Sequence, residues 1–248
     1  MSPPKSKSPP SDARVIVTRP APDDASFAAK ARARGFSPII SPILRIGPFS
    51  GAAPPPAGVA LAFTSANGVR AYARLTTDRS GDAFAVGAAT AEAARAVGFP
   101  AVHVAGGDLS SLTDIIAEKR PGKLAHVAGR ERAGDLVALV REEGVDASLY
   151  VLYQADPVKT PSAEACAAIA DLEAGGPDLW VTLFSPRSAR LFLEQLTAAG
   201  YGRPPKGLRA ACLSRAVADA LGAHWRPKAV AARRDADAIL DAIADDAA

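Results

Sequence analysis

Short apolar runs rich in β-branched residues recur along the chain, separated by longer stretches with helical spacing. ARVIVT (Ala13–Thr18) opens the series. Asp23–Gly35 follows with Phe27 and small apolar positions at helical spacing, and Gly35 is placed to close that helix. Further strands are predicted at Val59–Phe63, Phe84–Val86, Val102–Val104, Leu124–Val127, Leu149–Tyr153, Leu179–Phe184, Arg209–Leu213 and Ala229–Ala231, with helices between them. PIISPILRI (Pro38–Ile46) reads as extended, but its two prolines exclude a central place in a sheet. GAAPPPAG (Gly51–Gly58) reads as a linker. Strand–helix alternation with short connections predicts an α/β fold whose parallel sheets are covered on both faces. A closed eightfold barrel competes at this length, and the early proline-rich linker speaks against it.

The pattern repeats. FTSANGVRAYARL (Phe63–Leu75) mirrors LFSPRSARLFLEQL (Leu183–Leu196), setting Ser65 on Ser185 and Arg70 on Arg190. TAEAARAVGFPAV (Thr90–Val102) mirrors VADALGAHWRPKA (Val217–Ala229), and DLSSLTDII (Asp108–Ile116) mirrors DADAILDAI (Asp235–Ile243). The earliest strand and helix recur as well, Arg14 pairing with Lys123 and Gly35 with Gly144. Alanine-rich helices match by chance, so it is the common order of these segments that predicts two similar lobes. Proteins of that build bind ligands between their lobes.

Composition narrows the partners. The 248 residues are 48% hydrophobic and carry a net charge of +3, enough apolar material for a real core and too little charge to announce a nucleic-acid binder. A pI near 9.0 leaves an anionic small molecule open. No apolar run approaches a membrane span, and MSPPKSKSPPS lacks the apolar core of a signal peptide, so residues 1–11 read as a tail and the protein as cytoplasmic. Two cysteines, Cys166 and Cys212, form no disulfide framework or zinc spacing.

Nucleotide-binding glycine loops and the hydrolase elbow are absent. His103, His126 and His224 stand apart, so no metal site is expected, and the cysteines read as small core residues. The strand-to-helix turns are more telling. Thr18-Arg19-Pro20, Thr64-Ser65-Ala66-Asn67, Val86-Gly87 through Thr90, Gly129-Arg130, Ser185-Pro186-Arg187-Ser188 and Leu213-Ser214 supply hydroxyls, amides and free helix-start N–H groups. Such turns line the crevice beyond the carboxyl ends of parallel strands and suit carboxylates. Any one serine is adequately explained as a helix cap. Their recurrence at matching places in both halves favours an anion-binding cleft. Tyr153, near the end of SLYVLYQADP, fits either that cleft or the core.

VIVTRP, FTSANGV, the VGAATAEA turn-helix, the strand ending VLYQA, and FSPRSA together resemble uroporphyrinogen-III synthases, in order, from about Ala13 to Ile243. The resemblance implies two flavodoxin-like lobes with parallel sheets, joined by a two-stranded ladder. It assigns residues 12–37 and 156–248 to one lobe, 50–146 to the other, and 38–49 with 147–155 to the linker strands. It implies a lyase of porphyrin and heme biosynthesis that closes the linear tetrapyrrole hydroxymethylbilane to uroporphyrinogen III, losing water and inverting ring D, without metal or organic cofactor. The implied partner is that polyanionic tetrapyrrole, with a transient contact to the preceding pathway enzyme, no nucleic acid or membrane, and a monomeric state.

Residue by residue, the resemblance makes Tyr153 and Thr90 catalytic. It makes Thr18, Arg19, Thr64, Ser65, Asn67, Gly87, Gly129, Ser185, Pro186 and Ser214 substrate-binding. The family pattern is broken where Val217 replaces a threonine, Ser214 a glycine and Phe184 a threonine. Those departures motivate a rival reading, a non-catalytic anion- or tetrapyrrole-binding regulatory module on the same fold. A periplasmic-type binder is disfavoured by the missing secretory signal.

Overall fold

The computed structural model describes residues 13–132, 134–225 and 228–246, so the tail expected at residues 1–11 lies outside the described residues. The chain divides into two units. One is discontinuous, holding the residues up to Arg45 and those from Asp156 onward; the other is the continuous segment Ile46–Ala155.

The discontinuous unit is a parallel sheet with helices on both faces. Its strands are β1 (Arg14–Val17), β2 (Ser37–Ile40), β9 (Leu179–Leu183), β10 (Leu208–Cys212) and β11 (Lys228–Val230), in the order β11-β10-β9-β1-β2. Around it lie α1 (Asp23–Ala33), α6 (Ala163–Glu173), α7 (Pro186–Ala198), α8 (Arg215–Ala220) and α9 (Ala236–Asp246). β1, β9 and β10 have apolar side chains on both faces because both faces are covered. Ile16, Val181 and Leu183 point into one core with Phe192 and Trp225, while Val15, Val17 and Trp180 point into another with Phe27 and Ile239. β2 begins with Ser37-Pro38 and sits at the sheet edge, where a missing N–H costs nothing.

The continuous unit repeats the plan. Its strands are β4 (Ala60–Phe63), β5 (Ala83–Ala85), β6 (Val102–Val104), β7 (Leu124–Gly129) and β8 (Ala147–Pro157), ordered β8-β7-β4-β5-β6. Its helices are α2 (Ala66–Leu75), α3 (Ala88–Ala96), α4 (Leu109–Lys119) and α5 (Leu136–Glu142). β3 (Leu44–Pro48) adds to the outer side of β8. Val158 donates to Ile43 at one end of that pairing and Phe49 to Leu152 at the other, so the two strands run antiparallel. Of the expected linker 38–49, then, residues up to Ile40 belong to a parallel sheet and only β3 pairs with β8.

The spatial order β2-β1-β9-β10-β11 equals β8-β7-β4-β5-β6, and the repeat register places equivalent residues equivalently. Asp108 accepts from the Ser111 N–H at the start of α4 and Asp235 from the Ala238 N–H at the start of α9. Gly35 and Gly144, with φ of 85° and 81°, close α1 and α5 in the left-handed conformation that glycine adopts without strain. In each unit the chain lays down strands on one side of a starting strand and then on the other. The order therefore reverses between β1 and β9 in one unit and between β4 and β7 in the other. Those reversals leave a crevice at the carboxyl ends of the strands.

Candidate active site

In the continuous unit the crevice opens where β4 gives way to α2 and where β7 ends. Ser65 has extended backbone and caps α2, its Oγ accepting from the Asn67 N–H at 3.2 Å. One turn into the helix, Arg70 donates to Asn67 Oδ1 at 2.7 Å, leaving the Asn67 amide hydrogens as what that side chain presents. Thr64 lies 3.4 Å from His126 Nε2 through its Oγ1. His126 is 2% exposed, and burial, helped by the Arg132 charge, pushes its pKa down to about 4, so the imidazole is neutral at physiological pH.

Tyr153 completes the group from β8. The register of β8 against β7 slips beside it: Ala128 pairs with Val151, but Gly129 pairs with Tyr153, leaving Leu152 as an extra residue. Such a bulge re-aims the next side chain. The Arg130 N–H then donates to the Tyr153 carbonyl at 2.9 Å and resumes the pairing. The ring lies directly against Gly129. A β-carbon there would stand 2.8 Å from ring atoms Cε2 and Cζ, inside van der Waals contact.

Burial holds the Tyr153 phenol above its usual range, opposed by hydrogen bonds from the Ser65 side chain and the Gly129 backbone and by the Arg70 charge. Ser65 Oγ, which accepts from the Asn67 N–H, thus also shares a hydrogen bond with the phenol. Burial outweighs these opposing interactions, so the phenol stays protonated. The next turn, after β5, holds Gly87 as a cap without a side chain and Thr90 in the first turn of α3, 5% exposed.

The crevice of the discontinuous unit is filled differently. Thr18, 2% exposed, donates its hydroxyl proton to the Thr182 carbonyl, while Thr182 donates to the Ile16 carbonyl at 3.0 Å. The Thr18 hydroxyl thus clamps β1 to β9 and is not presented at the surface. Arg19 pairs with Asp23 at 3.0 Å and lies 4.9 Å over the Phe184 ring, which packs edge-on against Phe27 at 5.3 Å. Ser185 forms a full capping box with Ser188, and Pro186 fits the first helical position because its missing N–H has no partner there. Ser214 precedes the six-residue α8 and makes no cap bond.

The expected residues therefore fall into two sets, one per crevice. Ser65, Asn67, Gly129 and Tyr153 share one hydrogen-bonded group with Arg70; Arg19 and Ser185 flank the other crevice. Sequence reading passes over Arg70 as a site residue, although its one-turn spacing from Asn67 is a signal, and takes His126 for an isolated core histidine. Cys212 is buried with its thiol pushed up to about 12, which makes it inert. Among the described residues no three His, Cys, Asp or Glu side chains converge as metal ligands, and no helix is long and apolar enough to cross a membrane.

The profile of the uroporphyrinogen-III synthase HemD family matches residues 25–241. The chain belongs to the uroporphyrinogen-III synthase family. Its members are lyases of tetrapyrrole and heme biosynthesis that act on a tetrapyrrole substrate. No curated relative matches the chain. Among solved structures, the uroporphyrinogen-III synthetase of Helicobacter pylori is similar with a TM-score of 0.60 at 18% identity, covering 93% of this chain and 97% of that one. A mutant uroporphyrinogen III synthase of Thermus thermophilus is similar with a TM-score of 0.50 at 19% identity, covering 92% of this chain and 96% of that one. At that identity these likenesses speak for the fold, and they agree with the two parallel-sheet units seen here.

Proposed function

We propose that this synthase closes hydroxymethylbilane to uroporphyrinogen III, with Tyr153 as the proton donor to the departing hydroxyl. The observation that carries the reading is the phenol itself, kept protonated by burial at the crevice of the continuous unit. The phenol gives its proton to the hydroxymethyl oxygen, which leaves as water. The electrophilic azafulvene so formed is attacked by the substituted α-carbon of the last pyrrole, giving a spiro centre. Fragmentation and reclosure at the other α-carbon turn that ring round, and the proton released on rearomatisation restores the phenol. The pyrroles supply the electrons, so the protein's work is to hold geometry and stabilise charge.

The substrate carboxylates suit the Asn67 amide, the starts of α2, α3 and α7, and Arg19. Gly87, Thr64 and Thr90 flank the phenol's crevice, while Ser185, Pro186 and Ser214 line the other unit's turns. In this reading residues 12–37 with 156–248 and residues 50–146 act as two lobes, with β3 and β8 as the ladder. The enzyme works as a cytoplasmic monomer, taking a short-lived substrate from the enzyme that makes it.

The test is a coupled assay with freshly generated hydroxymethylbilane and isomer analysis of the product. The type III isomer is expected; accumulation of the type I isomer alone, the product of uncatalysed closure, would overturn the reading.

A further inference from the structure

We propose that Gly129 is a positioning residue, whose bare α-carbon and the bulge opposite it place the Tyr153 ring, so that position 129 acts on the reaction through the phenol. Three observations converge on this pair. The register slip of β8 falls between Ala128 and Gly129, so the irregularity sits at the residue that faces Tyr153. An added β-carbon would lie 2.8 Å from Cε2 and Cζ and 3.2 Å from the hydroxyl oxygen, so all three of its nearest contacts belong to this one ring. And Gly129 is not among the positive-φ glycines, so alanine meets no backbone strain there; space for the ring is the requirement.

The bulge sets the direction of the side chain and the glycine sets its distance from β7. Together they bring the oxygen to the Gly129 N–H and to Ser65, whose own position is fixed by capping α2. A methyl group at 129 leaves the sheet pairing intact and drives the ring outward, away from both partners. The loss is one of geometry at the reacting proton, for which a shift of about 1 Å costs on the order of 100-fold.

The inference rests on the reading of Tyr153 as proton donor, and its test separates the two. In the full-length protein with carbon-13-labelled tyrosine, the Tyr153 resonance is identified by its loss in Tyr153→Phe. In Gly129→Ala that resonance moves and the phenol titrates closer to an exposed tyrosine. Turnover (kcat) falls roughly 10- to 100-fold with KM changed less than about twofold. In a Tyr153→Ala background, Gly129→Ala costs nothing further. An unmoved resonance, or an equal loss in the Tyr153→Ala background, overturns the inference. Should Gly129→Ala fail to fold, adding Tyr153→Ala restores folding if the clash is the cause, and persistent unfolding overturns it. Full activity in Tyr153→Phe instead overturns the proton-donor reading and leaves ring placement to be judged by the resonance alone.

Discussion

The two crevices are built on one plan and furnished in opposite ways. Where the discontinuous unit has Phe184 after its first repeat strand, the continuous unit has Thr64; where the first has Pro20, the second has Gly129. Hydroxyls in the discontinuous unit are turned inward, with Thr18 and Thr182 bonded to strand carbonyls. Their counterparts in the continuous unit, Val127 and Ala62, are apolar and buried, and the hydroxyls have moved outward to Thr64, Ser65 and Tyr153. Charge follows the same division. Arg19 is matched by Asp23 and covered by an aromatic ring, whereas Arg70 holds an amide at the crevice edge. The difference teaches that duplicated crevices need not share chemistry: one turns its hydroxyls and charge onto its own strands and rings, and the other gathers a phenol, a serine and an amide into one hydrogen-bonded group.

Substituting the phenol tests that contrast most severely. Tyr153→Phe lowers turnover by about 100-fold or more while circular dichroism shows an intact fold, because a general acid contributes roughly that much or above. Near-normal turnover in this variant would erase the asymmetry between the units.

Next in size is a pH effect confined to the continuous unit. His126 there corresponds to Val17 in the other, each paired at the same level with the neighbouring strand. Its pKa is pushed down to about 4 in the folded protein, below the unfolded value near 6.5, so the unfolded chain takes up the proton first. Stability is therefore full above pH 6.5 and declines as pH falls towards 4, by on the order of 3 kcal/mol. Urea unfolding at about pH 7 and about pH 4.5 reads it, and His126→Gln flattens the difference. An unchanged slope in that variant would move the titration to another group.

The smallest effect belongs to the crevice of the discontinuous unit. Ser185→Ala removes a capping-box serine and lowers stability by about 1 kcal/mol, seen as an earlier urea midpoint, with turnover changed only a few-fold. A loss of turnover comparable with that of Tyr153→Phe would place chemistry in both units.

Much of this organisation is legible in the residues. β-Branched runs and the serines at the starts of α2 and α7 follow from local spacing, and the repeat that sets Asp108 against Asp235 puts both at helix starts. The reversal of strand order is not local. Nothing in residues 60–63 or 124–129 says that β4 and β7 are neighbours, because parallel strands meet through crossovers rather than turns. Tyr153 resists reading for a sharper reason. Period-two alternation assigns a strand residue to a face, and the bulge at Leu152 breaks that period one residue before it. Gly129 is visible as a turn glycine, but the ring that requires it comes from a different strand.

The place of β1 carries a consequence for how the protein is made. This strand lies between β2 and β9, so one of its edges waits for a partner that begins at Leu179. The continuous unit has no such wait, since all of it has been synthesised by Ala155. Domains fold as they emerge, so the half that bears the phenol is complete while β1 still has a bare edge exposed to other chains. β1, made long before β9, is thus among the last strands to be settled, and a chain cut short before β9 would hold a finished continuous unit beside an open template for aggregation.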